Sequence, residues 1–302
     1  MEDLAPIVLC AYNRVAHLRK TLEALRQNPE AAASDLFVFS DGPRSAGAAP
    51  AVEEVRACLR TLDGFRKVAV VERQTNYGLS RSVVGAVSDI VARYGRAIVL
   101  EDDLVTSPYF LKYMNDGLRL YERDDTVASI HGYLLPLPVK VPETFFLRGA
   151  DCWGWATWQR AWRCYDPDAA GHLRTLKATQ SEKDFGMYYV RMLEDRIAGW
   201  NDSWAILWHA STYNRHQYTL YPGRSLVVNV GLDRSGVHAG RTDSYRSELS
   251  AQPINVTRIP IEENRLAHLE ALRIMESEDR PLKRFVMRMA RRLLRRRAPG
   301  SR

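Results

Sequence analysis

Wholly apolar runs of strand length alternate with amphipathic stretches along the amino-terminal third of the chain. Between the runs, apolar side chains recur at helical spacing, as Leu18, Leu22 and Leu25 do. Strands that are apolar throughout are typical of a parallel sheet covered by helices on both faces. The runs that predict such strands are residues 6–12, 36–39, 68–71 and 97–100.

The pattern becomes less regular in the second half of the chain. Three prolines between residues 136 and 142 mark irregular chain, and all seven tryptophans lie between residues 151 and 208. We therefore predict an α/β fold with a mostly parallel central sheet, helices on both faces and an amphipathic helix at the C-terminus. The later elements predicted are strands at 127–131, 217–220 and 226–230 and a helix at 182–197.

Three consecutive acids, Glu101, Asp102 and Asp103, follow the fourth apolar run directly. Thr106 or Ser107 can then cap a new helix. The acids therefore lie at the carboxyl end of a buried strand, which is where open α/β sheets bind ligands. Adjacent carboxylates repel one another, and burying them without a cation is costly. Their hard oxygen atoms suit Mg²⁺ or Mn²⁺, and the alternative is a solvated acidic turn.

Several classes of protein are disfavoured by what the sequence lacks. It contains no Gly-x-Gly-x-x-Gly after the first strand and no Walker A sequence, which argues against dinucleotide-binding folds and phosphate-loop NTPases. No run of eighteen apolar residues predicts a membrane-spanning helix, and the first residues do not resemble a signal peptide. The four cysteines show no CxxC spacing, as expected of reduced thiols in a cytoplasmic protein.

The net charge of +7 arises entirely from the C-terminal tail. Residues 280–302 contain ten Lys or Arg and no acid, which leaves 33 basic and 36 acidic residues, a net charge of −3, elsewhere. In the tail, apolar residues such as Leu282, Phe285 and Met289 recur at helical spacing. Such a basic amphipathic helix favours an anionic membrane surface. Nucleic acid and a partner protein are the alternative partners of this helix. We predict that it attaches the protein peripherally to the inner face of the membrane and that the protein binds no nucleic acid.

The segment that contains the acids, VLEDDLVTSPYFLKYM, resembles the metal motif of nucleotide-sugar glycosyltransferases of the GT-A fold. It is most similar to the EDD-type motif of N-acetylglucosaminyltransferase I and related bacterial family-2 sugar transferases. The first strand, loop and helix, CAYNRVAHLRKTLEAL, and the short NYGL loop also resemble that family. The resemblance covers roughly residues 5–240 as spaced local matches.

This resemblance implies an inverting, Mn²⁺- or Mg²⁺-dependent hexosyl- or N-acetylhexosaminyltransferase. The donor would be a nucleotide-sugar, most simply a UDP-sugar, and the acceptor a hydroxyl of a glycan or lipid-linked saccharide. Implied donor ligands are Arg14 at the diphosphate, Asp41 at the uracil ring, and Asn76 and Gly78 along the nucleotide pocket. Implied ligands at the acids are Asp103 for the metal, and Asp102 and Glu101 for ribose and sugar hydroxyls.

The segment CWGWATW resembles the glycine-containing loop that closes on the donor sugar. It would contribute Asp151, Trp153 and Gly154 to the donor site. Aromatic faces and a close backbone suit a sugar ring. The alternative is a tryptophan-rich core.

Asp202 is the expected general base, since inverting enzymes of this family keep an acid at the start of the corresponding helix. In WNDSW it stands between bulky aromatic residues, and apolar surroundings would raise the pKa of its carboxyl. Asp195 and Glu194 are second choices. The alternative is a helix N-cap formed by Asn201 or Asp202.

The Gly-Val-His sequence resembles the site at which GT-A enzymes return a histidine to the metal or diphosphate, which makes His238 a second metal ligand. The expected division is a donor-binding half at 1–125, an acceptor and catalytic half of the same domain at 126–245, a helical extension at 246–279 and the basic tail at 280–302. Two other functions compete: a sugar-phosphate nucleotidyltransferase, disfavoured because the loop after the first strand lacks glycine, and a non-catalytic membrane-bound scaffold.

Overall fold

Ten strands form two sheets in the computed structural model, which describes residues 4–233 and 245–278. In chain order they are β1 (Ile7–Ala11), β2 (Asp35–Ser40), β3 (Lys67–Glu72), β4 (Arg96–Glu101), β5 (Leu104–Thr106), β6 (Val127–His131), β7 (Thr144–Arg148), β8 (Trp155–Trp158), β9 (Tyr218–Pro222) and β10 (Val227–Asn229).

The large sheet has eight strands in the order β3-β2-β1-β4-β8-β6-β9-β7. All of them run in one direction except β8 and β7, which are antiparallel to their neighbours. The carboxyl ends of β1, β2, β3 and β4 therefore meet at one edge, and the start of β8 lies at the same edge. A small two-stranded sheet pairs β10 with β5 directly after the acids.

Helices cover both faces of the large sheet, as predicted. Alternate residues of β1 point to opposite cores, since Leu9 packs in one cluster with Leu18 and Val8 in another with Val87. The longer helices are α1 (Val15–Arg26), α2 (Ala49–Arg60), α3 (Leu79–Tyr94), α4 (Phe110–Leu120), α6 (Ala169–Ala178), α8 (Met187–Ile197), α9 (Trp204–Tyr213) and α10 (Arg265–Glu278); the short ones are α5 (Gln159–Trp162) and α7 (Glu182–Phe185).

Local details differ from the sequence predictions. The helix after the acids begins at Phe110 because residues 104–106 pair with β10 as a strand, so neither Thr106 nor Ser107 is its N-cap. The helix predicted at 182–197 is divided at Gly186, whose φ of 98° is outside the helical region. Strands β5, β7 and β8 were not predicted.

The C-terminal part of the described chain contains α10, which forms within the predicted extension at 246–279. The basic amphipathic tail lies outside the described residues. Among the helices that the structure describes, none combines the length and apolar character of a membrane-spanning segment. The division of the chain at residue 125 stays a prediction.

Candidate functional site

The three acids and Arg14 lie together because β1 and β4 are adjacent parallel strands, with Cys10 opposite Glu101. Arg14 follows β1, and its Nη2 donates to Oδ1 of Asp102 at 2.6 Å and to Oδ2 of Asp103 at 2.8 Å. Asp102 is buried and also accepts a hydrogen bond from the backbone N–H of Tyr12. The acid cluster, as we name Glu101, Asp102 and Asp103, is thus bridged by one guanidinium group.

One cation does not balance these acids. Burial raises the pKa of Glu101 to about 8, and the charges of Asp103 and Asp102 add to the shift while Arg14 opposes it. Burial likewise raises the pKa of Asp102, against the stabilising effect of Arg14. The cluster therefore gains from a further positive charge.

The donor atoms of the acid cluster fit a divalent cation with a phosphate. Carboxylate oxygens are the ligands that Mg²⁺ and Mn²⁺ prefer, and within the described chain no residue donates a hydrogen bond to Oδ1 of Asp103. Nη1 of Arg14 is buried and has no hydrogen-bond partner there. An anionic oxygen beside it would satisfy this donor.

Gly231 completes the site and was missed in the sequence. The N–H of Val230 donates to the backbone oxygen of Asp103 at 2.8 Å, which brings the chain after β10 onto the acids. A Cβ atom at Gly231 would lie 2.1 Å from Oδ2 of Asp103 and 2.9 Å from Nη1 of Arg14. A glycine directly after a predicted strand was the only signal available.

We expect Gly231→Ala to weaken Mn²⁺ binding by at least about tenfold, because the new methyl group must displace Asp103 or Arg14. Isothermal titration with Mn²⁺ and UDP measures the effect. Gly47→Ala is the matched control, since its Cβ would meet only Ser45 Oγ at 3.9 Å. Equal Mn²⁺ affinities in the two variants would contradict this placement of Gly231.

Asp41 ties together the loops that follow β2 and β3. Its carboxylate accepts hydrogen bonds from the N–H groups of Gly42, Tyr77 and Gly78 and from Nδ2 of Asn76, at 2.9–3.1 Å. Asn76 also donates to the carbonyl of Gly42 at 2.8 Å. The structure thus places Asp41, Asn76 and Gly78 together, with the carboxylate engaged by the chain itself. Contact of Asp41 with a uracil ring stays a prediction.

An aromatic and cationic surface, which the sequence did not predict, adjoins this loop. Tyr77 is 38% exposed. The guanidinium carbons of Arg73 and Arg81 lie 4.6 and 4.0 Å from the centre of its ring. The edge at β2 and β3 is therefore positive where the edge at β4 is negative, an arrangement that suits an anionic nucleotide.

Only the first part of the predicted sugar-binding segment is a loop, and the part from Trp155 onward is strand β8. Trp155 and Trp158 belong to β8 in the middle of the sheet, and Trp155 is fully buried, so the tryptophan-rich core is correct for these two. Asp151, Trp153 and Gly154 precede the strand at the edge that carries the acids. A Cβ atom at Gly154 would lie 3.4 Å from Cδ2 of Leu100, the residue directly before Glu101, so this loop lies near the acid cluster.

Asp202 lies on the surface, two residues before the start of α9. It is exposed, so the apolar surroundings expected for it are absent, and the N-cap of α9 is Ser203 rather than Asn201 or Asp202. Trp204 begins α9 and stacks on Trp155 at 5.6 Å; Trp155 pairs with Val99 of β4. The role of Asp202 as a base stays a prediction. The second choices, Asp195 and Glu194, lie on α8.

His238 lies outside the described residues. Within the described ranges, Asp184, Glu263 and His268 are grouped closely enough to hold a metal ion. Arg265 pairs with both of these acids, however, and the hydroxyl of Tyr213 donates to Asp184 at 2.7 Å. A guanidinium group thus already supplies the cation in this second cluster.

No model of a known protein family matches the chain, and no curated protein matches it in sequence. Solved structures do match. They include TarS from S. aureus (16% identity, TM-score 0.32, 49% of this chain and 25% of that chain), a 1–349 form of TarS (15%, 0.33, 49% and 42%) and GalNAc-T7 with UDP, GalNAc and Mn²⁺ (10%, 0.38, 55% and 37%).

This chain thus aligns with less than half the length of each of these proteins. At such identities and TM-scores the matches carry no argument about activity. The proposals below rest on the residues of this chain.

Two histidines lie near the loop of Asp151: His131 is fully buried and His209 is half-buried. Burial lowers the pKa of His131 from 6.5 to about 4 and also lowers that of His209, whose Nδ1 donates to the carbonyl of Ala150 at 2.8 Å. Below about pH 6.5 the unfolded chain binds a proton at His131 that the folded chain does not. Protonation of His131 in the unfolded chain therefore lowers the free energy of unfolding as the pH falls from 6.5 towards 4. Above pH 6.5 this loss is absent and the stability is fully present.

We therefore expect His131→Phe to flatten the loss of thermal stability between about pH 6.5 and 4, because phenylalanine has no proton to bind. Melting temperatures measured across this range provide the test. His216→Gln, at an exposed histidine, is the control. The same pH dependence in His131→Phe and the parent protein would exclude His131 as its source.

Proposed function

We propose that the protein is an inverting, metal-dependent glycosyltransferase that uses a nucleotide-diphosphate sugar, most simply a UDP-sugar. The observation that carries the proposal is the bridge from Arg14 to Asp102 and Asp103 at the end of β4. This bridge supports the proposal because a guanidinium group, which can bind phosphate, lies beside carboxylates that suit a metal, in the segments that resemble GT-A glycosyltransferases.

Asp103 holds the Mn²⁺ or Mg²⁺ in this proposal, together with His238. When bound, the metal supplies Lewis-acid stabilisation of the diphosphate leaving group. Nη2 of Arg14 stays on the acids, and Nη1, which lacks a partner among the described residues, donates to a phosphate oxygen. Charge on the leaving group is thereby neutralised as its bond to the sugar breaks.

The nucleotide lies over β1, β2 and β3 in this proposal. Asp41 holds the loop of Asn76 and Gly78 in place for the base, and Glu101 and Asp102 accept hydrogen bonds from ribose and sugar hydroxyls. The cationic surface of Arg73 and Arg81 adds a favourable field for the anionic donor.

Asp202 takes the proton of the acceptor hydroxyl in this proposal. The hydroxyl oxygen forms a bond to the anomeric carbon from the face opposite the diphosphate, and the bond from that carbon to the phosphate oxygen breaks with its electron pair. The start of α9 supports this role, since Trp204 packs on Trp155 at the edge of β4. Solvent exposure leaves Asp202 open to an incoming acceptor.

A thermal-shift screen of nucleotides with Mn²⁺ tests the proposal. We expect UDP with Mn²⁺ to raise the melting temperature, and neither component alone to do so as strongly. A larger shift with nucleoside triphosphates would favour the nucleotidyltransferase. No shift with any nucleotide would favour the non-catalytic scaffold.

We also propose a cytoplasmic protein held at the inner face of the membrane by residues 280–302. Deletion of this segment is expected to release the protein from anionic vesicles while UDP binding persists. Each basic residue near such a surface contributes about 1 kcal/mol, and the segment contains ten. Liposome flotation at low and high salt provides the measurement. Equal partitioning of both forms would contradict attachment, and nucleic acid retained only by the full-length protein would favour that partner.

A further inference from the structure

Asp151 lies against a group of aromatic side chains at the carboxyl edge of the sheet. Oδ2 of Asp151 is 3.8 Å from Nε2 of His131, whose ring lies 4.9 Å from that of Tyr221 and 6.3 Å from that of Tyr133. Trp153 packs on Tyr133 at 4.7 Å. We name these five residues the Asp151 cluster.

The cluster is open to solvent through its polar member. The side chain of Asp151 is 31% exposed and Trp153 is half-buried, whereas His131 is fully buried. Both ring nitrogens of His131 are without a hydrogen-bond partner among residues 4–233 and 245–278. Burying two polar nitrogens without hydrogen-bond partners costs free energy. An apolar side chain would fill the same space without this cost, so a purely structural role does not explain a histidine here.

Within the described residues, no Lys or Arg side chain compensates the charge of Asp151. Oδ1 accepts a hydrogen bond from the N–H of Cys152, and no Lys or Arg of the described chain pairs with the carboxylate. His131 is neutral near pH 7, since burial lowers its pKa to about 4. The site is thus negative and aromatic.

The position in the sheet separates the Asp151 cluster from the nucleotide side. Asp41 and Arg14 follow β2 and β1, and the acids follow β4, at the centre of the sheet. His131 ends β6 and Tyr221 lies in β9, on the other side of β8. A nucleotide-sugar donor that extends from β2 to the acids has its sugar at β4. A sugar ring of the acceptor, which must lie beyond the donor sugar, is therefore expected at β8, β6 and β9.

We propose that the Asp151 cluster binds the acceptor, and that the acceptor ends in a neutral sugar ring. This inference rests on the proposed glycosyltransferase function. The resemblance assigned Asp151 and Trp153 to the donor sugar; the geometry points to the acceptor. An acceptor hydroxyl donates to Oδ2 of Asp151, and the ring packs on Trp153. His131 is a positioning residue: its buried ring packs beside the carboxylate, with Nε2 3.8 Å from Oδ2, and limits where the carboxylate can move. A uronic acid or phosphorylated ring is repelled by the Asp151 carboxylate, with which no Lys or Arg of the described chain pairs.

Release of UDP from UDP-sugars in the presence of defined acceptors tests the inference. The donors are UDP-glucose, UDP-galactose and their N-acetylamino forms. The acceptors are methyl glycopyranosides of glucose, galactose and mannose, each paired with its methyl uronide. We expect at least one neutral glycoside to raise UDP release over hydrolysis by water by about tenfold or more, and its uronide to have no such effect.

Asp151→Asn is then expected to raise the KM for that glycoside by about tenfold or more, while UDP affinity measured by calorimetry matches the parent. Asp63→Asn, at a carboxylate on the surface, controls for loss of charge. Equal rates with glycoside and uronide, stimulation by neither, or an unchanged KM in Asp151→Asn would overturn the inference. Absence of UDP binding in the parent protein would instead overturn the proposed function itself.

His131→Phe separates positioning from a structural role. We expect this variant to keep or raise the melting temperature at pH 7, since it removes two buried nitrogens without partners. The acceptor KM is expected to rise several-fold with kcat within about twofold of the parent. A lower melting temperature with an unchanged acceptor KM would show that His131 is only structural, and would remove it from the inference.

Discussion

Replacing Asp103 with alanine is expected to abolish Mn²⁺-dependent binding of UDP. The carboxylate holds the metal in the proposed site, and loss of even an outer-shell partner of a metal typically costs about 10–100-fold in affinity. Loss of a direct ligand is expected to cost more. Calorimetric titration of UDP with and without Mn²⁺ measures the effect.

Two controls make the Asp103→Ala result specific. Asp63→Ala removes an exposed carboxylate that pairs with Arg26 at the surface, and should leave UDP binding unchanged. Asp103→Asn keeps the shape and removes the charge, and should behave like Asp103→Ala. Parent-like UDP affinity in Asp103→Ala with Mn²⁺ present would show that the metal is held elsewhere, with the group of Asp184, Glu263 and His268 as the first alternative.

Replacing Asp202 with asparagine is expected to lower turnover by about 10²–10⁴-fold while donor affinity is retained. The amide has nearly the same shape as the carboxylate but cannot take a proton. UDP release measured at saturating donor and acceptor gives kcat, and calorimetry gives the UDP affinity.

The matched control for Asp202 is the residue that caps the helix. Ser203→Ala removes the side chain that accepts from the N–H of Ile206 and should cost about 1 kcal/mol of stability with little effect on turnover. A fall in kcat of less than about tenfold in Asp202→Asn would mean that another group takes the proton. Asp195→Asn and Glu194→Gln would then be the next variants.

Strands β1, β2 and β4 could be predicted because they are buried on both faces, whereas β3 lies at the edge of the sheet and is partly exposed. Residues such as Val8 and Leu9 face opposite cores, so the runs of β1, β2 and β4 are apolar without alternation. β8 lies just as deep, but it is four residues long and directly follows Gly154. The resemblance made the segment CWGWATW a sugar-binding loop, with a tryptophan-rich core as the alternative, and Trp155 packs with Trp162, Trp204 and Trp208 in the core.

The site could be predicted where topology alone brings residues together. Arg14 and the acids follow neighbouring parallel strands, so their proximity follows from the strand order. Gly231 reaches the acids through the pairing of β10 with β5, a long-range contact that no local pattern reveals. Asp202 was expected to be buried because its neighbours in sequence are aromatic, but Trp204 turns into the core and leaves Asp202 at the surface.

Hydrolysis of nucleotide-sugars by the full-length protein tests the central claim most directly. UDP-sugars are incubated with Mn²⁺, or with Mn²⁺ and excess chelator, and released UDP is measured for the parent protein and Asp103→Ala. The account predicts Mn²⁺-dependent release of UDP from at least one UDP-sugar by the parent protein, and none by Asp103→Ala. Failure of the parent protein to bind or hydrolyse any UDP-sugar in the presence of Mn²⁺ would contradict it.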